Sequence, residues 1–282
     1  MIVLYTCDHI FSIFTTNMLI DLLNTSGKKV LVRNVQSRTN SHFVVPPPKK
    51  YSNHFYGDLR RFFLKNQVDL QPQIKAEFNN GLRPISLSRE TNLLRVELIE
   101  NVNDIDLSVP ESDFTSHVSV RFHQIFNKTQ VQKMNDKGVS YNIHGGLLPQ
   151  YPGLMIPYHA YSNAEGSHGW SVHYLTPNID AGKVAFSRSV NFCDHHSVFG
   201  LEYALAKRVS LEMAEFLNGK AYIQDTLIEN TQIKYHRNLS ADSFSKIEGK
   251  LPIITKNDIV DLYIPEKTNQ LWEEYLKNLD EI

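Results

Sequence analysis

The chain has 282 residues, with 29 Lys and Arg against 30 Asp and Glu, a formal net charge of -1 and two cysteines. This length allows one large domain with a small appendage, or two modest domains, and either can bury a core without covalent staples. Cys7 and Cys193 are far apart and form no CxxC pattern, which argues against a disulfide scaffold or a Cys-rich zinc protein and suits a reducing cytoplasm; the absent basic excess argues against nucleic acid as the main partner. Residues 1–7, MIVLYTC, read as a buried strand. The N-terminus is apolar, yet it lacks a basic n-region and is interrupted by Asp8 and His9, so it reads as structure and not as a signal peptide. Over residues 11–23, Phe11, Phe14, Met18, Leu19 and Leu22 recur at spacings of three and four, which predicts a helix that Gly27 can close. KKVLVRNV reads as a second strand, and strand, helix, strand is the opening of an alternating α/β fold with a parallel sheet.

Residues 37–51, with PPPKK, read as an exposed excursion and a candidate lid. GDLRRFFLKNQ predicts a helix, LLRVELIENVND a strand running into a turn, and HVSVRFHQIF, residues 117–126, a further strand. TQVQKMNDKG predicts a helix ending at Gly138, and VSYNIH the next strand. LMIPYHAYSN then suggests a short helix with Pro157 in its first turn, WSVHYLT a strand and PNIDAGK its turn. Residues 197–218 carry Val198, Leu201, Leu205, Val209, Met213 and Phe216 on one side of a long helix, which Gly219 ends. The expected division is a larger domain over 1–219 and a small C-terminal α/β subdomain over 220–282, with weak alternation in AYIQDTLI and TQIKYH and a helix in NQLWEEYLKNL. No run of 18 apolar residues occurs, so no membrane span is expected.

The chemistry concentrates in NIHGGLLPQYPG, residues 142–153. In an extended chain Asn142 and His144 face the same way, and the glycines after them remove side chains where a backbone has to approach a ligand. Asn donates a hydrogen bond without changing charge, and His exchanges a proton near neutrality, so the two suit a developing oxyanion. Asp180, in the turn after WSVHYLT, can orient the imidazole or hold a water, provided the fold brings that turn back. Taken alone, Asn-x-His is often a cap and an Asp before Ala-Gly an ordinary turn residue. His173 reads as a hydrogen-bonded structural histidine, and His159, His168, His173, His195 and His196 lack metal-ligand spacing.

NIHGGLLPQYPG followed by HYLTPNIDAGKV resembles the folate-dependent formyltransferases, with their Asn-x-His, Leu-Leu-Pro turn, Tyr-x-Gly and downstream Asp-x-Gly. ENVND followed by SVRFHQIF resembles the branch that formylates amino sugars carried on nucleotides. The resemblance spans roughly residues 95–190. It implies a Rossmann-like, mostly parallel sheet and 10-formyltetrahydrofolate as co-substrate. It assigns Asn142, His144 and Asp180 to catalysis, and it lays the pterin against Gln124, Phe126, Leu175, Thr176 and Asp180, mostly through main chain. Gly146 stands where many relatives carry Ser, and Pro152 where an Arg is common; TCDHIF replaces the Gly-rich loop some relatives carry after strand one.

Three residues are candidates for substrate contact, each with a plain structural alternative: Arg121 with a surface ion pair, Tyr151 with a buried ring, Trp170 with a core position. Three acceptors compete. Residues 220–282 carry eight Lys or Arg against eleven Asp or Glu, a poor surface for tRNA, and the resemblance to glycinamide ribotide enzymes lacks ENVND and SVRF. The resemblance therefore implies a nucleotide-linked amino sugar, most plausibly dTDP-linked with a 3- or 4-amine, for a surface polysaccharide such as O-antigen. A non-catalytic folate-binding protein is the non-enzymatic alternative. The tail, with little core of its own, also raises the prospect of a homodimer.

Overall fold

A computed structural model of the chain describes residues 1–7, 9–35, 53–85, 91–105, 107, 115–122, 124–220 and 234–280; PPPKK and AYIQDTLI lie outside the described residues. Among the described residues seven strands form one sheet: β1 (Ile2–Cys7), β2 (Val30–Val35), β3 (Leu94–Ile99), β4 (Thr115–Val120), β5 (Gly138–His144), β6 (Ser167–Tyr174) and β7 (Val184–Asn191). Their order is β3-β2-β1-β4-β5-β6-β7. The pairings from β3 to β5 are parallel, and β5–β6 and β6–β7 are antiparallel. The helices are α1 (Ile10–Thr25), α2 (Asn53–Lys65), α3 (Pro72–Leu82), α4 (Lys128–Asp136), α5 (Ile156–Ser162), α6 (Val198–Leu217), α7 (Ala241–Glu248), α8 (Lys256–Leu262) and α9 (Pro265–Asp280).

β1 and β2 are buried along their whole length, as expected of parallel strands covered on both faces. Alternate residues divide between two cores. Leu4, Val32, Val118, Ile143 and Trp170 pack with Phe14 of α1 and Leu205 of α6. Val3, Tyr5 and Leu31 pack with Phe126 and with Val131 and Met134 of α4. The tail helices place Phe244, Ile259, Leu262, Leu271 and Tyr275 in the first core, so they share its burial with the sheet. No described helix is long and apolar enough to cross a membrane.

Three expectations differ from the structure. β4 stops at Val120 rather than running on to residue 126, because Arg121 takes a left-handed φ of 46° that no strand can continue through. β7 escapes a sequence reading because its apolar residues, Val184, Ala185, Phe186 and Val190, follow neither a strict alternation nor a continuous run; it is an edge strand, and SRSVN in its second half is partly exposed. α3 escapes for a similar reason, since it opens on Pro72 and buries only Phe78, Gly81 and Leu82. In TQIKYH, the described residues form only an isolated parallel bridge, between His236 and Gly153.

A polar row crosses the second core beneath α4. Arg33 Nε donates to Glu97 Oε2 at 2.8 Å, and Tyr5 Oη meets His117 Nδ1 at 2.9 Å. Burial, reinforced by the Arg33 charge, pushes the His117 ring down to about 4, so it stays neutral and accepts from the Tyr5 hydroxyl. In the unfolded chain the same ring takes a proton near pH 6.5. The unfolded state therefore binds more protons between about pH 6.5 and 4, and the contribution of His117 to stability is lost as pH falls through that window. Urea unfolding followed from pH 7.5 to 4.5 is expected to show a shallower fall in stability for His117→Asn than for the parent chain.

Candidate active site

β5 delivers Ser140, Asn142 and His144 to the face of the sheet opposite Tyr141 and Ile143, which enter the first core. β6 pairs antiparallel beside it in a register that sets His173 directly across from Asn142. A register shift at Val172/His173, a β-bulge against β7, falls at this same residue, where bulges commonly re-aim a side chain. His173 Nδ1 donates to the Tyr174 carbonyl at 3.0 Å, which leaves Nε2 to accept from Asn142 Nδ2 at 3.0 Å. Burial, with the nearby His144 second, pushes His173 down to about 4, in accord with a neutral acceptor. The amide of Asn142 is thereby held with one hydrogen committed and the other unassigned.

His144 uses both ring nitrogens. Nε2 lies 2.8 Å from the Tyr151 carbonyl, and a carbonyl can only accept, so Nε2 carries hydrogen. Nδ1 lies 3.4 Å from Asp180 Oδ1. Asp180 sits at φ 51° in the return between β6 and β7, and its second oxygen accepts from the Gly153 amide at 3.0 Å. The loop therefore folds back, and Asn142, His144 and Asp180 come together around His173, whose Nε2 is 3.9 Å from Asp180 Oδ1. The side chains of His144 and Asp180 are 8% and 9% exposed, sheltered enough for hydrogen bonds there to exceed their strength in water.

The glycines of the motif have separate reasons. A Cβ on Gly146 would lie 2.4 Å from the Tyr151 oxygen and 2.8 Å from His144 Nε2, so a side chain there would break the bond that fixes the imidazole. Serine at this position, common among the resembled family, does not fit this chain's turn. A Cβ on Gly145 would meet the Arg121 guanidinium at 3.2 Å. On Gly182 it would lie 1.7 Å from the Tyr174 oxygen, the acceptor of His173.

Of the other anticipated residues, Arg121 forms an ion pair with Glu202 and lies 4.9 Å over the Trp170 ring, so it resolves as a buried pair. Trp170 is fully buried and donates Nε1 to Glu202 at 2.9 Å; with no face open to a base, it is a core residue and not a stacking platform. Burial alone would push the Glu202 carboxyl up, but Arg121, His168 and Trp170 together hold it below the usual range. Tyr151 is buried, donates its hydroxyl to Glu165 at 2.8 Å and contributes its carbonyl rather than its ring to the site. Gln124 accepts from the Val102 amide at 2.6 Å, and the Leu175 amide donates to Ser140 at 2.8 Å. Phe126 and Leu175 nonetheless meet in the second core with Phe122, which stacks on Phe126 at 5.4 Å. Thr176 donates within its own turn, to Asn178. The remaining histidines disperse: His168 pairs with Glu202 and His159 donates to the Arg237 carbonyl.

Comparison with known proteins addresses the segment that holds this geometry. Residues 83–217 match the formyl transferase family model. This segment belongs to the formyl transferase family. Forty-nine residues are 45% identical to phosphoribosylglycinamide formyltransferase of Escherichia coli K12, covering 17% of this chain and 23% of that protein. Over 138 residues the chain is 27% identical to methionyl-tRNA formyltransferase of Rhodopirellula baltica, covering 48% and 41%. The matched part thus spans less than half the length of either curated relative. A sugar N-formyltransferase structure from Shewanella sp FDAARGOS_354 aligns over 87% of this chain and 79% of its own, at 16% identity and a TM-score of 0.47.

Two site features of the formyl transferase segment escaped the sequence reading: the Tyr151 carbonyl and the Gly153 amide, both main-chain groups with no side-chain signal. The role of His173 as partner of Asn142 was recoverable only by pairing VSYNIH antiparallel with WSVHYLT. Two substitutions test the frame. Glu202→Gln removes the carboxylate on which Arg121, His168 and Trp170 converge and is expected to lower stability in urea unfolding by about 1–3 kcal/mol. Gly182→Ala is expected to lower the melting temperature by pressing a methyl into the Tyr174 carbonyl, at a cost of about 1–3 kcal/mol.

Proposed function

We propose that the chain is an N-formyltransferase that moves a formyl group from 10-formyltetrahydrofolate to the amine of a nucleotide-linked amino deoxysugar, dTDP-linked with a 3- or 4-amine, for surface polysaccharide synthesis. The observation that carries the reading is the convergence of Asn142, His144 and Asp180 on one sheltered face. By the resemblance, the residues that would hold a reduced folate are Gln124, Phe126, Leu175, Thr176 and Asp180; Phe126 and Leu175 supply apolar surface at the second core, and Asp180 supplies a carboxylate at the edge of the catalytic face. Bound there, the folate would supply the electrophilic formyl carbon.

The residues divide the work. Asn142, oriented by His173, donates its uncommitted amide hydrogen toward an oxygen that gains negative charge. His144 is held at Nε2 by the Tyr151 carbonyl, so Nδ1 is the atom at which it holds or moves a proton. Asp180 faces that atom and stabilises the imidazolium when it forms. The amine must arrive unprotonated to attack the formyl carbon; the proton it gives up would pass to Nδ1, directly or through a water held by Asp180, and as the bond from the formyl carbon to the folate nitrogen breaks that proton would return to the leaving nitrogen. The choice of acceptor is supported by ENVND with SVRF and by the acidic balance of the tail, eight Lys or Arg against eleven Asp or Glu, which disfavours tRNA.

The test is to incubate the protein with 10-formyltetrahydrofolate and a panel of dTDP- and UDP-linked amino sugars, glycinamide ribotide and an initiator aminoacyl-tRNA, and to weigh the products. One sugar nucleotide is expected to gain a single formyl group. Asn142→Ala, His144→Ala and Asp180→Ala are each expected to lower kcat by on the order of 10²–10³-fold while remaining folded. Full activity in His144→Ala would remove the mechanism, and turnover of the tRNA or the ribotide alone would replace the acceptor.

A further inference from the structure

The tail returns to the active site at Tyr235 and His236. His236 forms an isolated parallel bridge to Gly153, with its amide donating to the Pro152 carbonyl at 2.9 Å and its carbonyl accepting from the Leu154 amide at 2.8 Å. A Cβ on Gly153 would lie 2.1 Å from the His236 oxygen, and Gly153 itself has a φ of 116°. The glycine of the Tyr-x-Gly turn is thus the residue type that lets the tail approach this closely. The His236 ring stacks on Tyr151, centroids 5.2 Å apart and planes at 20°, and packs on its other neighbour, His159, at 4.6 Å. His159 in turn donates to the Arg237 carbonyl at 2.8 Å, holding the next tail residue.

These contacts grip both main-chain groups on which the catalytic pair depends. The Tyr151 carbonyl fixes His144 Nε2, and the Gly153 amide fixes Asp180 Oδ2. Both belong to a turn whose own backbone tie is the Tyr151 amide to the Leu147 carbonyl at 2.8 Å. We propose that His236 is a positioning residue of the active site: its stack on Tyr151 and its bridge to Gly153 hold the turn that sets the tautomer of His144 and the place of Asp180. The tail segment 234–237 is then part of the catalytic unit, although it lies outside the 83–217 family match. Burial, with the Asp180 charge second, pushes the Tyr235 phenol up to about 12.

The inference deepens the formyl transfer reading and rests on it for its link to turnover, so the test has two readouts. In the full chain, the ring nitrogen shifts of His144 report its tautomer by NMR whether or not any substrate turns over. The parent chain is expected to show hydrogen on Nε2. His236→Ala is expected to shift His144 toward mixed tautomers and to lower kcat at least tenfold while KM for both substrates stays within about threefold; His236→Phe, which keeps an aromatic ring and the backbone bridge, is expected to restore both. Should His236→Ala fail to fold, His236→Gln takes its place, since it keeps the bridge and removes the stack. An unchanged His144 tautomer in the folded ring-less variant, or failure of the Phe variant to restore it, overturns the proposal. If the parent chain turns over no amine, the formyl transfer reading falls, and the tautomer comparison still decides the role of His236.

Discussion

A closed circuit of polar contacts organises the site. Asp180 accepts from the Gly153 amide through one oxygen and faces His144 Nδ1 with the other, while His144 Nε2 donates to the carbonyl of Tyr151, two residues before Gly153. Each member has its orientation set by the next, so neither the imidazole nor the carboxylate can rotate without breaking a contact in a sheltered setting, where an unmade hydrogen bond is costly. The circuit needs three pieces of chain at one point: the end of β5, the turn after Leu-Leu-Pro, and the β6–β7 return. The sheet supplies them where its pairing changes from parallel to antiparallel: β5 ends beside the β6–β7 hairpin, whose return carries Asp180 back to the turn.

What the sequence disclosed follows the physics of side chains. Apolar periodicity announced β1, α1, β2, α4, β5 and α6, because each buries a regular face. Asn142, His144 and Asp180 were legible because residue type and spacing carry their chemistry. The main-chain members of the circuit were not, since a carbonyl or amide leaves no mark in the residue code; Gly146, Gly153 and Gly182 record them only indirectly, as positions where a Cβ would strike a backbone oxygen. β7 was hidden because its second half faces outward, and the end of β4 because a left-handed Arg121 carries no compositional sign. Arg121 and Trp170 each carried a structural alternative in the sequence, an ion pair and a core position, and the pairing of both with Glu202 is what residue type alone does not disclose.

Burial also settles which way the Asn142 amide points. His173 stays neutral because it is deeply desolvated, and a neutral ring with Nδ1 committed to a carbonyl can only accept at Nε2. Had it charged, both nitrogens would be donors and Asn142 would turn its oxygen toward it, withdrawing the amide hydrogens from the side where they are useful. His144, two residues along β5 from the Asn142 that pairs with that ring, faces a carboxylate instead. Two histidines on one face thereby have different partners: His173 accepts from an amide, and His144 lies between a carbonyl and the Asp180 carboxylate.

The buried pair beneath the motif carries the remaining constraint. Arg121 leaves β4 in a left-handed conformation, an arrangement of order 1–3 kcal/mol in strain that persists only where surroundings over-determine it. Glu202, with Trp170 and His168 completing its hydrogen bonds, supplies that determination, and the guanidinium then occupies the space a side chain on Gly145 would fill. The two glycines after His144 are consequently answerable to different elements: Gly145 to an ion pair reaching from β4 to α6, and Gly146 to the turn that fixes the imidazole. Glu202 on α6 is thus linked through Arg121 to the backbone immediately after His144, so the long helix touches the end of β5 as well as the sheet beneath it.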